Sequence, residues 1–336
     1  MISLTRVTPK NAKKLIGRQS PLNRLMAQAA YDLGYRLEIY ENMNMFRVWH
    51  KGKSHLFRNI ATPLNTYVGA QIADNKYVTN SILHDAGIPV PLSLRISKKA
   101  FEKGSFDASE LRFPVVVKPL SGTVKGNGVI TNIKTHKQMM KYLKSSFRKY
   151  SKMLVEEFHS GMNDYRVTVV NNKVVGVMLR VPAYVIGDGH SSIRDLMKEK
   201  NEIRKQSTDV KMGPIIVNIE LKNALKHQKL SLRSTPKKGK HIQLQNVCNF
   251  GAGGEVNEMN NKIHKDNAAI AIKAAKALDL GLAGLDFLCK DISKPMKKTG
   301  GVILEINQHP DIGMHHFPTQ GKSTDVARAI LLAAFA

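Results

Sequence analysis

The chain has 336 residues, 42% of them hydrophobic, enough for two or three layered subdomains with real cores, which excludes disorder as the default. Lysine and arginine outnumber aspartate and glutamate 52 to 26, and the net charge of +26 sets up a field that draws nucleotides, acidic peptides or nucleic acid without choosing among them. No nucleic-acid-binding module or aromatic stacking platform is evident, so no dedicated nucleic-acid partner is expected. The longest apolar stretches, such as Ala327 to Ala336, fall short of the roughly 20 residues of a membrane span, and no membrane partner is expected. Met1 to Arg6 lacks an apolar signal core, which makes cytoplasmic placement the simplest reading. Cys248 and Cys289 form no CxxC pair; two buried thiols are expected, not a disulfide framework or a cysteine zinc site.

Residues 1 to about 75 combine a basic helical start around Leu22, Leu25 and Met26 with alternating segments at Leu37 to Tyr40 and Phe46 to Trp49, a small α/β lead-in. A helix runs from Asn75 through Val78, Ile82, Leu83 and Ala86 to a stop at Gly87 and Pro89. The β-branched run Phe113 to Pro119 reads as a strand, followed by a glycine-containing loop and a second strand at Val129-Ile130. Thr135 caps a helix whose apolar positions include Met139, Leu143 and Phe147, and Met153 to Phe158 resumes strand character. Tyr165 to Val170 and Lys173 to Arg180 flank Asn171-Asn172, a hairpin pattern. From Lys198 to His241 the chain is charged and less periodic, an elaborated substrate-side insertion with short elements near Ile215 and Leu221. Asp266 precedes an alanine-rich helix carrying Ala268, Ile272 and Ala275 and ending near Gly281. Ala283 to Cys289 and Gly301 to Ile306 form the last strand pair.

Asp286 and the pair Glu305 and Asn307 place three oxygen ligands on strand segments, the inventory a nucleotide-bound magnesium needs; solvated strand caps have the same appearance. Gly122, Gly126 and Gly128 free a loop to bring backbone N–H groups close to phosphate oxygens. They fit neither a Walker A sequence nor a GxGxxG turn, and a plain hairpin is the competing reading. Lys118 supplies a cation just before this loop, as would an exposed strand-end lysine.

The order of these pieces resembles ATP-grasp carboxylate–amine ligases over about residues 74 to 330. It runs from Asp74-Asn75-Lys76 through Val117-Lys118-Pro119, the glycine loop, Val155 to Phe158 and Asp164-Tyr165-Arg166 to Asp286 and Glu305-Ile306-Asn307. Arg180 to Gly189, Gly300 to Asn307, Met314 to Pro318 and Gly321-Lys322 carry a closer likeness to the ATP-grasp region of cyanophycin synthetase and of the fused glutathione-synthesising ligases. The resemblance implies an α+β, ATP-grasp fold. A lead-in domain would occupy residues 1–74, an N-lobe with the phosphate loop 75–158, and a C-lobe with the magnesium site and the insertion 159–336, with ATP between the two α+β lobes. It also implies that Lys76 and Lys118 contact phosphates beneath a loop containing Ser121, Gly122, Gly126 and Gly128. Glu156, Glu157 and Phe158 would meet adenine, Asp164 would face the ribose, and Asp286, Glu305 and Asn307 would hold Mg²⁺ or Mn²⁺.

In such ligases a carboxylate attacks the γ-phosphate and an amine then attacks the acyl-phosphate, so the expected partners are ATP and amino-acid or small peptide substrates, with acidic ones suited to the positive field. Arg166 and Arg180 are the candidate catalytic residues for stabilising the phosphoryl group, since arginine's planar donors suit its oxygens; cross-sheet ion pairs are the alternative. His309, His315 and His316 lie beyond the metal strand, where they touch substrate, move an amine proton or simply pack, and the oxygen ligands nearby suit magnesium better than zinc. Gln308-His309-Pro310-Asp311 departs from the arginine-containing stretch of cyanophycin synthetases, so a different acceptor pocket is expected. The sequence stops soon after the ATP-grasp region, and making a two-amino-acid polymer alone is not expected of it. Related ligases form dimers or tetramers, which makes a homo-oligomer compatible. A non-catalytic ATP-binding regulator and a basic nucleic-acid-binding protein are the alternative functions.

Overall fold

The computed structural model describes residues 4–120, 128–206, 213–245, 248 and 253–336. At the N-terminal end, β1 (Leu4–Arg6), α1 (Ala12–Gly17), α2 (Pro21–Asp32), β2 (Arg36–Tyr40), β3 (Met45–His50) and β4 (Lys53–Phe57) form an antiparallel sheet β1-β2-β3-β4 with two helices on it. Strand alternation turns Leu37, Ile39, Phe46 and Val48 to one face, and Met26, Ala27 and Ala30 of α2 close over them. Then α3 (Tyr67–Ala73) and α4 (Lys76–Asp85) follow, each capped by a side chain: Thr66 accepts from the Gly69 N–H and Asn75 from the Val78 N–H.

A second antiparallel sheet comes from β5 (Ser93–Ser97), α5 (Lys98–Lys103), β6 (Val115–Pro119), β7 (Ile130–Ile133), α6 (His136–Ser146) and β8 (Lys152–Glu157), in the order β5-β8-β6-β7. Met139 and Leu143 of α6, with Phe147 just beyond it, pack on Val115, Val117 and Val155. Lys118 and Glu156, one residue out of phase with those valines, project to the opposite face.

Next, β9 (Asn163–Val170) and β10 (Lys173–Val181) form the expected hairpin, turned by Asn171 and Asn172 at φ 43° and 64°. A small subdomain of β11 (Tyr184–Ile186), α7 (Ile193–Gln206), α8 (Ile219–His227) and β12 (His241–Gln243) has its own core around Ile193, Leu196, Leu221 and Leu225. The chain returns through β13 (Glu255–Glu258), α9 (Lys265–Ala277), β14 (Leu282–Cys289), α10 (Met296–Thr299) and β15 (Gly301–Asn307) to complete an antiparallel sheet β13-β10-β9-β14-β15. One face of it, with Val167, Val169, Leu285 and Phe287, packs on Ile270, Ala271 and Ala274 of α9. The alternate residues Asp164, Arg166, Thr168 and Asp286 therefore lie on the other face. After α11 (Gly313–His316), the last helix α12 (Val326–Ala334) returns to the first core and buries Val326, Ala327, Ile330 and Leu331 with Met26 of α2.

Several expectations need adjustment. The start of the insertion holds a regular helix, α7, hidden in the sequence by its charge: only Ile193, Leu196, Met197 and Arg204 are buried. The alanine-rich helix is capped by His264 rather than Asp266, with the imidazole accepting from the Asp266 N–H, and it stops at Ala277. Cys289 is buried as expected, but Cys248 is partly exposed. Among the described residues no helix is long and apolar enough to cross a membrane.

Candidate active site

The four-stranded sheet contributes one cation and one carboxylate. Lys118 is 8% exposed and Glu156 2%, so Lys118 is no exposed strand-end residue; the two side chains form an ion pair. The second Glu156 oxygen, Oε1, has no hydrogen-bond partner among the described residues. A buried, unpartnered acceptor is costly unless something donates to it, which suits a ligand amino group. The Glu157 and Phe158 N–H groups are already donated to the Leu92 and Pro114 carbonyls at 3.1 and 2.9 Å, so these two donors are spent within the protein. Glu157 itself projects to the opposite side of the strand from Glu156.

The five-stranded sheet contributes a denser charge array. Asp286 on β14 stands directly opposite Arg166 on β9 and Glu305 on β15, and Arg180 on β10 stands opposite Asp164 on β9. Arg166 Nε donates to Asp286 Oδ1 at 2.6 Å, Arg180 reaches Asp286 Oδ2 at 2.8 Å, and Arg180 Nε and Nη2 both donate to Asp164 Oδ1, at 2.9 and 2.6 Å. Burial pulls the Asp286 pKa up, but Arg166 and Arg180 outweigh it and hold the carboxyl below its ordinary value. Asp164 goes the other way: burial, with repulsion from Asp286 added, outweighs Arg180 and raises it. Burial disfavours the Arg180 charge, yet the two aspartates more than compensate and keep it cationic. Gly284 makes room for this: a Cβ there would stand 3.0 Å from Arg166 Nη1.

Lys76, the first residue of α4, reaches across to Glu305 with Nζ 2.9 Å from Oε2. Asn307 lies two residues beyond Glu305 on the same strand and opposite Gly284. Two carboxylates on adjacent strands and one amide are hard oxygen donors of the kind magnesium takes, and a metal held by them would draw its remaining ligands from phosphate and water. The residues present therefore fit the ion. Among the described residues no cluster of three or more His, Cys, Asp and Glu is placed to hold a metal.

Of the phosphate-loop residues, Ser121, Gly122 and Gly126 lie outside the described residues. Gly128, in the turn two residues before β7, has φ +78°, and a Cβ there would meet Tyr150 Oη at 2.8 Å, so both conformation and space favour glycine.

The histidines part company. His309 is exposed. His316 Nε2 accepts from the Ala327 N–H at 3.3 Å. His315 is fully buried, its Nε2 2.8 Å from Thr168 Oγ1 and its ring against Gly176, where a Cβ would collide with it. Burial first, then the nearby Arg166, push its pKa down to about 3, so it is neutral at physiological pH.

Sequence reasoning missed a cluster that ties the insertion to the sheet. Lys200 Nζ stands 2.6 Å from Glu255 Oε1, the Tyr184 hydroxyl donates to Glu255 Oε2 at 2.9 Å, and Lys200 sits 3.6 Å from the centre of the Tyr184 ring. Burial and then the Glu255 carboxylate raise the Tyr184 hydroxyl to about 12. No local pattern links three residues so far apart in sequence. Cys248 lies beside Asp164, and burial, with the aspartate's charge, raises its thiol to about 12, which favours the protonated form.

Comparison with known proteins now bears on this geometry. Residues 73–212 match the RimK-like ATP-grasp domain. The chain is 32% identical to cyanophycin synthetase from Synechocystis sp. over 97% of its own length. It is also 32% identical, over 80% of its length, to the glutathione biosynthesis bifunctional protein GshAB from Clostridium perfringens. The chain spans 35% of the length of each of these relatives. In structure it resembles the bifunctional glutathione synthetase from Pasteurella multocida with a TM-score of 0.72 and 26% identity, over 93% of this chain and 44% of that one.

Proposed function

Because the chain carries a RimK-like ATP-grasp domain and is homologous to cyanophycin synthetase and to bifunctional glutathione synthetase, we propose that it is an ATP-dependent ligase joining a carboxylate to an amine. The observation that carries this reading is the register Arg166–Asp286–Glu305 across three neighbouring strands, flanked by Arg180 and Asp164 and met by Lys76. It gathers phosphate-binding cations and oxygen ligands on one sheet face, the requirement of phosphoryl transfer by positioning and charge neutralisation.

In this reading Lys118 and Lys76 hold phosphates, the free Glu156 oxygen accepts from the adenine amino group, and Asp164 faces the ribose. Asp286, Glu305 and Asn307 would hold the divalent ion, Mg²⁺ or Mn²⁺, which when bound screens the charge of the phosphates. The substrate carboxylate attacks the γ-phosphorus, ADP leaves, and the amine then attacks the acyl carbon with loss of phosphate, giving an amide. Arginine has five N–H donors, so Arg166 and Arg180 retain donors for the transferred phosphoryl oxygens beyond those spent on the aspartates. Substrates are amino acids or short peptides, with acidic ones favoured by the net charge of +26, and the site of action is the cytoplasm.

The test is ADP and phosphate release with Mg²⁺ or Mn²⁺ against a panel of amino acids and short peptides, with amide products sought by mass spectrometry. Turnover that requires both a carboxylate and an amine, and is lost in Glu305→Ala, is the expected result. Failure to bind ATP would sink the reading, and ATP binding without stimulated turnover on any substrate would favour a regulatory protein.

A further inference from the structure

A groove of about 680 Å³ lies outside the charge array just described, walled by α4 and by the ends of β5 and β8. Tyr77, Asn80 and Asp85 line it from α4, Glu157 from the last position of β8, and Glu110 and Arg112 from the segment before β6. Its volume is that of a small-molecule site. Its composition runs against the rest of the chain: lysine and arginine outnumber acids two to one overall, yet three carboxylates and one arginine line this groove.

Asn80 supplies the independent observation. It is 4% exposed, and its Nδ2 has no hydrogen-bond partner among the described residues. A buried amide donor left unmatched is costly, so a ligand oxygen that accepted from it would recover that cost. The carboxylates, for their part, are too widely spread to share one ion, since among the described residues no group of three or more His, Cys, Asp and Glu is placed to hold a metal. Separated carboxylates instead suit an organic cation with charge at two points. The chemistry asked for is therefore two cationic groups for Asp85, Glu110 and Glu157, and one anionic acceptor for Arg112 and Asn80. Arginine's fork is matched to a carboxylate.

We infer that this groove is a binding site for a free amino acid with a cationic side chain. Its α-carboxylate meets Arg112 and the Asn80 amide, and its α-ammonium and side-chain cation meet the acidic rim. The inference stands on the groove and is independent of the ligase reading.

Isothermal titration of the full chain with L-lysine and L-arginine tests this, with L-glutamate, L-leucine and putrescine as controls. One equivalent of either basic amino acid is expected to bind without nucleotide, at least tenfold more tightly than any control. The exposed variants Glu110→Gln with Asp85→Asn, and separately Arg112→Gln, are expected to weaken it at least tenfold, while Arg180→Ala leaves it within twofold. Absence of binding overturns the inference. So does binding lost in Arg180→Ala but kept in the groove variants, which would place the amino acid in the ligase site, and so does putrescine binding as tightly as lysine, which would remove the carboxylate contact. Titration of the groove variants with an ATP analogue separates the two readings: retained nucleotide binding with lost lysine binding is the expected pattern.

Discussion

On the four-stranded sheet Lys118 meets one carboxylate, Glu156, and one oxygen of that carboxylate is left without a partner among the described residues. On the five-stranded sheet Arg166 and Arg180 occupy both oxygens of Asp286, and Arg180 also grips Asp164. The first arrangement holds an unmet acceptor, which discriminates among ligands by what can donate to it. The second is satisfied within the protein, which fixes two guanidinium groups in place ahead of any substrate. On the proposed reading, recognition of the base and stabilisation of the phosphoryl group fall to different sheets.

Substitutions separate the two. Removing the shared carboxylate by Asp286→Ala leaves two buried arginines without their counter-charge, and should cost about 3–5 kcal/mol of stability, read as a lower urea midpoint. Arg166→Ala destabilising as much as Asp286→Ala would show that the network does not hinge on Asp286. On the other sheet Glu156→Gln keeps the shape but weakens the acceptor, so ATP affinity should fall roughly 30-fold, about 2 kcal/mol, with the fold intact. Equal ATP affinity in the variant would remove Glu156 from the nucleotide site.

Beneath the arginines, His315 gives a finer handle. Its folded value of about 3 lies below the ordinary 6.5, so the unfolded chain holds the extra proton between these two values. Its contribution to stability is intact above pH 6.5 and lost as the pH falls toward 3. Over that window His315→Gln should lose less stability than wild type, by up to about 1.4 kcal/mol per pH unit, in paired urea titrations. Parallel curves would mean the imidazole titrates normally. The smallest effect is expected at the surface pair Lys98–Glu102, 3.9 Å apart on α5 with both side chains more than half exposed, where Glu102→Gln should change stability by less than about 0.5 kcal/mol. A larger change there would show that exposed charges matter more in this basic chain than the buried array predicts.

The hairpin at Asn171-Asn172, the strand read over Phe113 to Pro119 and the helix capped by Thr135 were legible because period and turn chemistry are local, and the structure has each of them, the strand starting two residues later, at Val115. Helix α7 was not, since one buried stripe on a highly charged helix resembles a solvated segment until something packs on it. Lys76, Lys118, Asp286 and Glu305 were singled out by their order along the chain, but neither the Lys76–Glu305 nor the Lys118–Glu156 pair could be read from that order. Tyr184 fell inside a stretch that carried the likeness, but nothing in the sequence linked it to Lys200 or Glu255.

Composition and alternation were enough to determine where strands and helices run, and the order of short motifs carried the resemblance that implies the ATP-grasp fold and nominates its site residues. Which charges meet, and which are left wanting, was decided by strand register. A shift of one residue in β14 against β9 would turn Asp286 into the apolar layer under α9 and leave Arg166 facing an alkyl side chain. The return of α12 to the first core is likewise decided by packing, because an apolar helix can be read from its sequence but the surface it covers cannot.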